Sequence, residues 1–451
     1  MLSIGNNAFH GCNKLTSVYI SDVEAWCNID FYPTLLNPIS GSSNPLEWAE
    51  YLYLNGEPIS ELVIPEGVTN IPEYAFIGQE TIVSVIIPDS VTSIGYHAFA
   101  NCANLESIII GNSVKTIGSN AFQGCNSITS VYITDMAAWC NINFEDNPLG
   151  CSNNSYQAYN LYLNEELVTD LIIPDCVTNI SSYAFRGCTS IKSVTIPNSV
   201  TTIGSYAFRN TGIRSVNIPN GVTTIGSNAF SSSGLRQVTI PDSVETIGDY
   251  AFTWCQHLYS VTMGNGVKSI GAQAFSHCSS LSSIELGNSV ETIGNSAFFK
   301  CQILTNIKIP NTVSSFGKNV FSDCNSLKEI VIPNCVTTIH SYEFEDCYSL
   351  TSIIIPESVT RIESRAFSGC TGLTKVVIGS GVTYVGYDAF VGCENIESVY
   401  YAGASRKWID IIFATNNEEL LDSTRYYYSK NKPDIPGNFW YLDENGLVVI
   451  W

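Results

Sequence analysis

The chain has 451 residues, 45% apolar and 14% charged, with a net charge of −21. That apolar fraction is ample for a core, so wholesale disorder is excluded, and no run of 18 apolar residues exists to cross a membrane as a helix. The acidic balance argues against binding a nucleic-acid backbone or an anionic membrane surface.

Phe9 opens a series that organises the whole chain. Phe76, Phe99 and Phe122 stand 23 apart, and Phe185, Phe208 and Phe230 continue at steps of 23, 22 and 22. Phe252, Phe275, Phe298, Phe321, Phe344, Phe367 and Phe390 return to 23, and most of the fourteen follow Ala. A fixed period of this length is the mark of a solenoid.

One coil is clearest at residues 88–110, P-D-S-V-T-S-I-G-Y-H-A-F-A-N-C-A-N-L-E-S-I-I-I. Val91 and Ile94 make a short inward segment, and Gly95 permits a bend. Ala98 and Phe99 are expected as a single helical turn that drives the ring into the core. Leu105, Ile108 and Ile110 end in period-2 alternation and read as an inward-facing strand. Pro or Gly then closes the strand, as at Pro88, Gly111, Pro241 and Pro356. The expected fold is mainly β with short helical turns: a solenoid of about fourteen 23-residue coils with a parallel sheet face. Parallel strands about 4.8 Å apart would carry it over roughly 70 Å.

The motif I-P-x-S-V-T-x-I-G-x-x-A-F-x-x-C-x-x-L-x-S-V-x-I resembles the BspA-like, or Treponema pallidum type, leucine-rich repeat. The resemblance covers most of the chain. It implies a curved right-handed solenoid from a mostly bacterial family, often at the cell surface. Some members are adhesins that bind host matrix proteins.

Two long gaps between Phe markers hold related inserts, near residues 21–61 and 134–170. One reads S-V-Y-I-S-D-V-E-A-W-C-N-I-D-F and the other S-V-Y-I-T-D-M-A-A-W-C-N-I-N-F. Ser21 or Asp22, and Thr134 or Asp135, are expected helix N-caps, with Trp26 and Trp139 packing each helix down. Both inserts return through L-Y-L-N. A third, divergent copy starts at Ser398, with Trp408 in the place of Trp26. Residues 1–397 are therefore read as the solenoid and 398–451 as a C-terminal cap, where Asn445-Gly446 predicts a hairpin. The N-terminus enters the frame mid-coil with no signal peptide, which reads as a truncated chain.

The sixteen Cys do not suggest a cross-linked or zinc-bound framework. Eleven lie three residues after the Phe, where Gln79, Thr211 and Ser233 also occur, so a buried and mostly reduced ladder is expected. Cys27 and Cys140 share a position with Ile409, which favours packing over nucleophilic catalysis. His10, His97, His257, His277 and His340 fall in different columns and make no triad. No phosphate-binding loop, dinucleotide fingerprint or calcium loop is present, so no enzyme, metal or cofactor is expected.

The strand residue that should face outward carries the one clue to a partner. This column begins Val63, Ile86, Ile109 and Tyr132, and is polar from Thr195 through Thr239 and Glu285 to Lys308. It ends Val331, Ile354, Val377 and Tyr400. Contiguous exposed apolar area marks contact sites, whereas β-propensity alone also favours branched residues in strands. The expectation is a monomeric, non-catalytic scaffold for a protein or glycan ligand, at the cell surface or secreted. The alternative is an intracellular or architectural interaction protein.

Overall fold

The computed structural model describes residues 3–5, 7–31, 43–145, 158–433, 437–442 and 448–451. The chain packs as two compact units, Met1–Ile213 and Arg214–Trp451. Each is a parallel β-solenoid with the expected 23-residue coil.

A coil contributes three hydrogen-bonded ladders. In the first unit, strand Ser107–Ile110 pairs in parallel with Ser84–Ile87 on one side and Ser130–Ile133 on the other. Its register sets Ile108 beside Val85 and Val131, all three inward and buried. The short strand Thr116–Ile117 lies likewise between Ser93–Ile94 and Asn143–Phe144. Identical columns thus stack on themselves, which is how a coil too small for its own core gains one.

The third ladder departs from the expected helical turn. Ala98, Ala100 and Cys102 N–H groups bond back three residues within the coil, as in tight turns. The alternate donors of His97, Phe99 and Asn101 reach the next coil instead, at Ser119, Ala121 and Gln123. A helix would keep every donor to itself; this edge gives half of them away. The alternation requires left-handed residues two before and two after the Phe, as at His97 (φ 54°) and Asn101 (φ 62°). The later position is Gly in six coils, including Gly124 (φ 77°) and Gly369 (φ 72°). A side chain there costs roughly 1–2 kcal/mol.

The Phe rings stack coil on coil inside this edge. Phe99 lies 5.3 Å from Phe76 and 5.0 Å from Phe122. In the second unit an unbroken stack runs from Phe230 to Phe390 with adjacent centroids 5.0–5.7 Å apart. Each ring is worth about 1.5–3 kcal/mol in burial alone.

The short-strand ladder of the second unit breaks once. Strands Thr292–Ile293 and Ser315–Phe316 pair, and Thr338–Ile339 pairs onward with Arg361–Ile362, but 315–316 and 338–339 do not. Gly294 shows how closely regular coils approach here, since an added Cβ would sit 2.5 Å from Ala272 N. His340 replaces this Gly at the break. A side chain alone is tolerated, because Glu363 fills the same column and its N–H still reaches Ile339 O at 2.9 Å. The larger Phe316 in the Ile column sets the step apart. A groove of about 580 Å³ opens beside it, lined by Asp249, Ser315, Lys318 and His340 among others.

The inserts fold as related units. Helices Val23–Cys27 and Met136–Cys140 are capped by Asp22 and Asp135, whose carboxylates accept from Ala25 N at 3.1 Å and Ala137 N at 2.7 Å. Trp26 and Trp139 are buried and donate to Ala75 O and Ala184 O, both at 2.9 Å. The polar stretches 32–42 and 146–157 lie outside the described residues. Each insert then closes a sheet with an antiparallel strand. Tyr51–Leu54 pairs with Glu57–Pro58, and Asn160–Leu163 with Glu166–Leu167. The left-handed pairs Asn55-Gly56 and Asn164-Glu165 make these turns.

The third copy ends the second unit in the same manner. Phe439–Leu442 pairs antiparallel with Val448–Ile450, as expected of the hairpin, while its turn at 443–447 lies outside the described residues. One expectation fails here. Ile409 does not pack like Cys27 and Cys140, which are buried; it is 80% exposed. Helix Ser405–Trp408 stops at Ile409, and Trp408 alone anchors it, under the Arg425 guanidinium at 4.5 Å.

Candidate protein-contact surface

The outward sheet column is continuous in the first unit. Val63 pairs with Ile86, Ile86 with Ile109, and Ile109 with Tyr132, all in register. The opposite face of these strands is core, so the pleat leaves these side chains nowhere to go but outward. Val63 and Ile109 are exposed, while Ile86 and Tyr132 are half-buried by their neighbours. Tyr132 stacks on Tyr162 at 4.7 Å, which extends the row by an aromatic step. Exposed Glu61 and Glu106 flank it with negative charge.

Sequence reasoning missed two residues of this unit. Ile172, in strand Asp170–Ile172, is 69% exposed, and Leu167 is also exposed. Leu167 lies at the end of the second insert and Ile172 just after it, where the period is interrupted; aligning the column from the L-Y-L-N segment would have found them. Next to Ile172, hydrogen bonds from Ser193 and Thr169 hold the Asp170 carboxyl below its ordinary value, keeping it ionised.

The second unit carries the other half of the expected surface, with a correction. Val331 and Ile354 are 76% and 60% exposed, and Val377 is half-buried. Tyr400 belongs to the same register, between Val377 and Tyr426, yet only 4% of it is exposed. Tyr426 stacks on it at 5.0 Å, and Trp440 meets it edge-on at 5.8 Å. Tyr400 is therefore buried beneath Tyr426 and Trp440 and not part of an accessible surface.

The thiols offer little chemistry. Cys102 Sγ donates to Phe76 O at 3.1 Å and Cys125 Sγ to Phe99 O at 3.0 Å, and the pattern repeats through the second unit. Burial pushes the Cys188 and Cys324 thiols up to about 12, far from nucleophilic thiolates. Cys27 and Cys140 are also raised to about 12 by burial, with Asp22 and Cys176 as the next contributors respectively. Among the described residues, no group of three or more His, Cys, Asp or Glu is placed to hold a metal ion. Among them, too, no helix is long and apolar enough to cross a membrane.

Stacked short coils whose strands pair in parallel from coil to coil, with apolar columns inside and an outward sheet face, define a leucine-rich-repeat protein. The chain belongs to the BspA type of that class. The family model described as "BspA type Leucine rich repeat region (6 copies)" matches residues 1–76, 46–145, 157–281, 223–350 and 268–397. A leucine-rich repeat protein from Bacteroides ovatus is similar in structure, at 25% identity over 81% of this chain and 91% of that one, with a TM-score of 0.51. A leucine rich cell surface protein from Faecalibacterium prausnitzii is 28% identical over 79% of this chain and 92% of its own, with a TM-score of 0.47. The T. pallidum leucine-rich repeat protein is 32% identical over 37% of this chain and 79% of its own, at a TM-score of 0.34. No curated protein matches the chain.

Proposed function

We propose that this chain is a non-catalytic scaffold that binds another protein through its outward sheet column, displayed at the cell surface or secreted. The in-register row of Val63, Ile86, Ile109 and Tyr132 carries the reading. A row of branched and aromatic side chains on a rigid sheet is pre-organised, so little ordering entropy is lost on contact. The flanking Glu61 and Glu106 favour a partner whose apolar patch has a basic rim. Val331, Ile354 and Val377 offer a second surface of the same kind. Membership of a family with surface adhesins supports the location.

The test measures binding of immobilised extracellular-matrix proteins by the wild type, by Val63→Asp with Ile109→Asp, and by Ile354→Asp with Val377→Asp. A loss of about tenfold or more in either double variant, with an unchanged thermal melt, supports the proposal. Equal binding by all three folded proteins overturns it. Protease shaving of intact source cells tests the location, since protection of the repeat peptides would reject surface display.

A further inference from the structure

We propose a second binding site at Trp254, on the turn edge of the second unit, that takes a neutral saccharide. It shares no residue with the sheet column and does not depend on the reading above.

The position two residues after each Phe is left-handed throughout, and Gly, Asn, Asp or Ser fills it in most coils. Three successive coils break that habit with Trp254, His277 and Lys300, at φ 59°, 60° and 59°. The backbone conformation is common to every coil, so what distinguishes these three is the side chain each presents. That backbone is held by the edge ladder, where Trp254 N donates to Ser276 O and His277 N to Phe299 O.

The rings form a supported platform. Trp254 and His277 stack at 4.0 Å with 15° between planes, and Ser276 Oγ lies 2.8 Å from His277 Nδ1. Phe299 meets His277 edge-on at 5.2 Å, and Lys300 sits 5.0 Å above the Phe299 ring. Burial, then Lys300, holds the imidazole below its ordinary value, so the stack is uncharged at neutral pH.

One face of the indole is thus covered and the other is not. The preceding coil has only Ser232 in this column, and Trp254 is 47% exposed. Its Nε1–H has no acceptor among the described residues, whereas those of Trp26, Trp139 and Trp440 are each bonded to a carbonyl. A free aromatic face beside a free donor matches a pyranose ring, which stacks through its C–H face and accepts through a hydroxyl. The same two coils add the phenol of Tyr250 and the amide of Gln273, hydrogen-bonded at 3.1 Å, as further polar groups. A protein partner would favour a broad apolar area, which the two exposed rings of Trp254 and Tyr250 do not provide.

The experiment probes an array of neutral mammalian and microbial oligosaccharides with the full chain, then titrates the best oligosaccharide by calorimetry. Trp254→Gly is the informative variant, because Gly is native to this column in six coils. The expected result is a loss of about tenfold or more in affinity with a melting temperature equal to or above wild type. Trp254→Phe, which keeps a ring face, is expected to retain part of the affinity. No oligosaccharide bound by the wild type, undiminished binding by Trp254→Gly, or a lowered melt showing that the indole is a structural prop would each overturn the proposal.

Discussion

The Cys278 thiol donates to the backbone carbonyl of Phe252, 3.2 Å away on the preceding coil. The same bond joins Cys301 to Phe275, Cys324 to Phe298 and Cys347 to Phe321. A small donor is needed at the point where each coil leaves the Phe stack, and a thiol fills it with little polarity to bury. Where the column changes to Thr211, the hydroxyl makes an equivalent bond within its own coil, to Phe208 O at 2.8 Å.

Thiol reactivity follows from this placement. A thiol held at about 12, as Cys324 is, has about one part in ten thousand thiolate at pH 8 and no access to reagent. Among the fifteen described cysteines, only Cys12, Cys176 and Cys335 are exposed. In native protein at pH 8, a disulfide reagent is expected to label those three quickly and the buried ones only after denaturation, as read by peptide mass spectrometry.

Alkali should destabilise the fold before it modifies it. Burial raises Cys188 and Cys324 to about 12 and Cys255 to about 11, against 9.0 for an ordinary thiol. The unfolded chain therefore loses these protons first, so their contribution is complete below pH 9 and is lost as pH rises towards 12. Melting temperatures measured from pH 7 to 11 are expected to fall above pH 9. Replacing Cys324 by Ser, which does not titrate in this range, should shallow that slope.

Glu343 is a stability defect that can be repaired. It stands where most coils have Ala, it is buried, and neither carboxyl oxygen has a hydrogen-bond partner. Burial holds its carboxyl well above the usual carboxylate range, so the native state holds this proton more tightly than the unfolded chain does, and stability falls as pH rises above the ordinary carboxylate range. Glu343→Ala is expected to stabilise the protein by about 1–3 kcal/mol in urea melts at pH 7, with a smaller gain at pH 4. An unchanged or lowered midpoint would contradict this.

Trp440 holds the hairpin of Phe439–Leu442 and Val448–Ile450 to its sheet. It is buried, donates to Tyr401 O at 3.0 Å, and covers both Tyr400 and Tyr428 edge-on. Trp440→Ala is expected to cost about 3–5 kcal/mol and to bare a sheet edge. Calorimetry measures the first effect and concentration-dependent light scattering the second.

The period of Phe9 to Phe390, the alternation at Leu105, Ile108 and Ile110, and the Cys column were legible in the residues, because a stacked coil repeats its environment and so repeats its chemistry. Family, solenoid and inward columns followed from that repetition. The caps Asp22 and Asp135 were narrowed to two choices each, since local chemistry marks a helix start to within a residue. Three features were decided only by tertiary structure. The turn around each Phe is no helix, because its alternate donors serve the next coil, a demand invisible within one coil's sequence. Tyr400 has the alternation of an exposed residue and the burial of a core one, because a hairpin forty residues on folds back over it. Trp254 reads as one more residue in a tolerant column until the stack on His277 and the small Ser232 before it leave one face of its ring open. Sequence determines what each coil repeats; contacts between coils and with the hairpin decide which of those repeats is covered and which is left exposed.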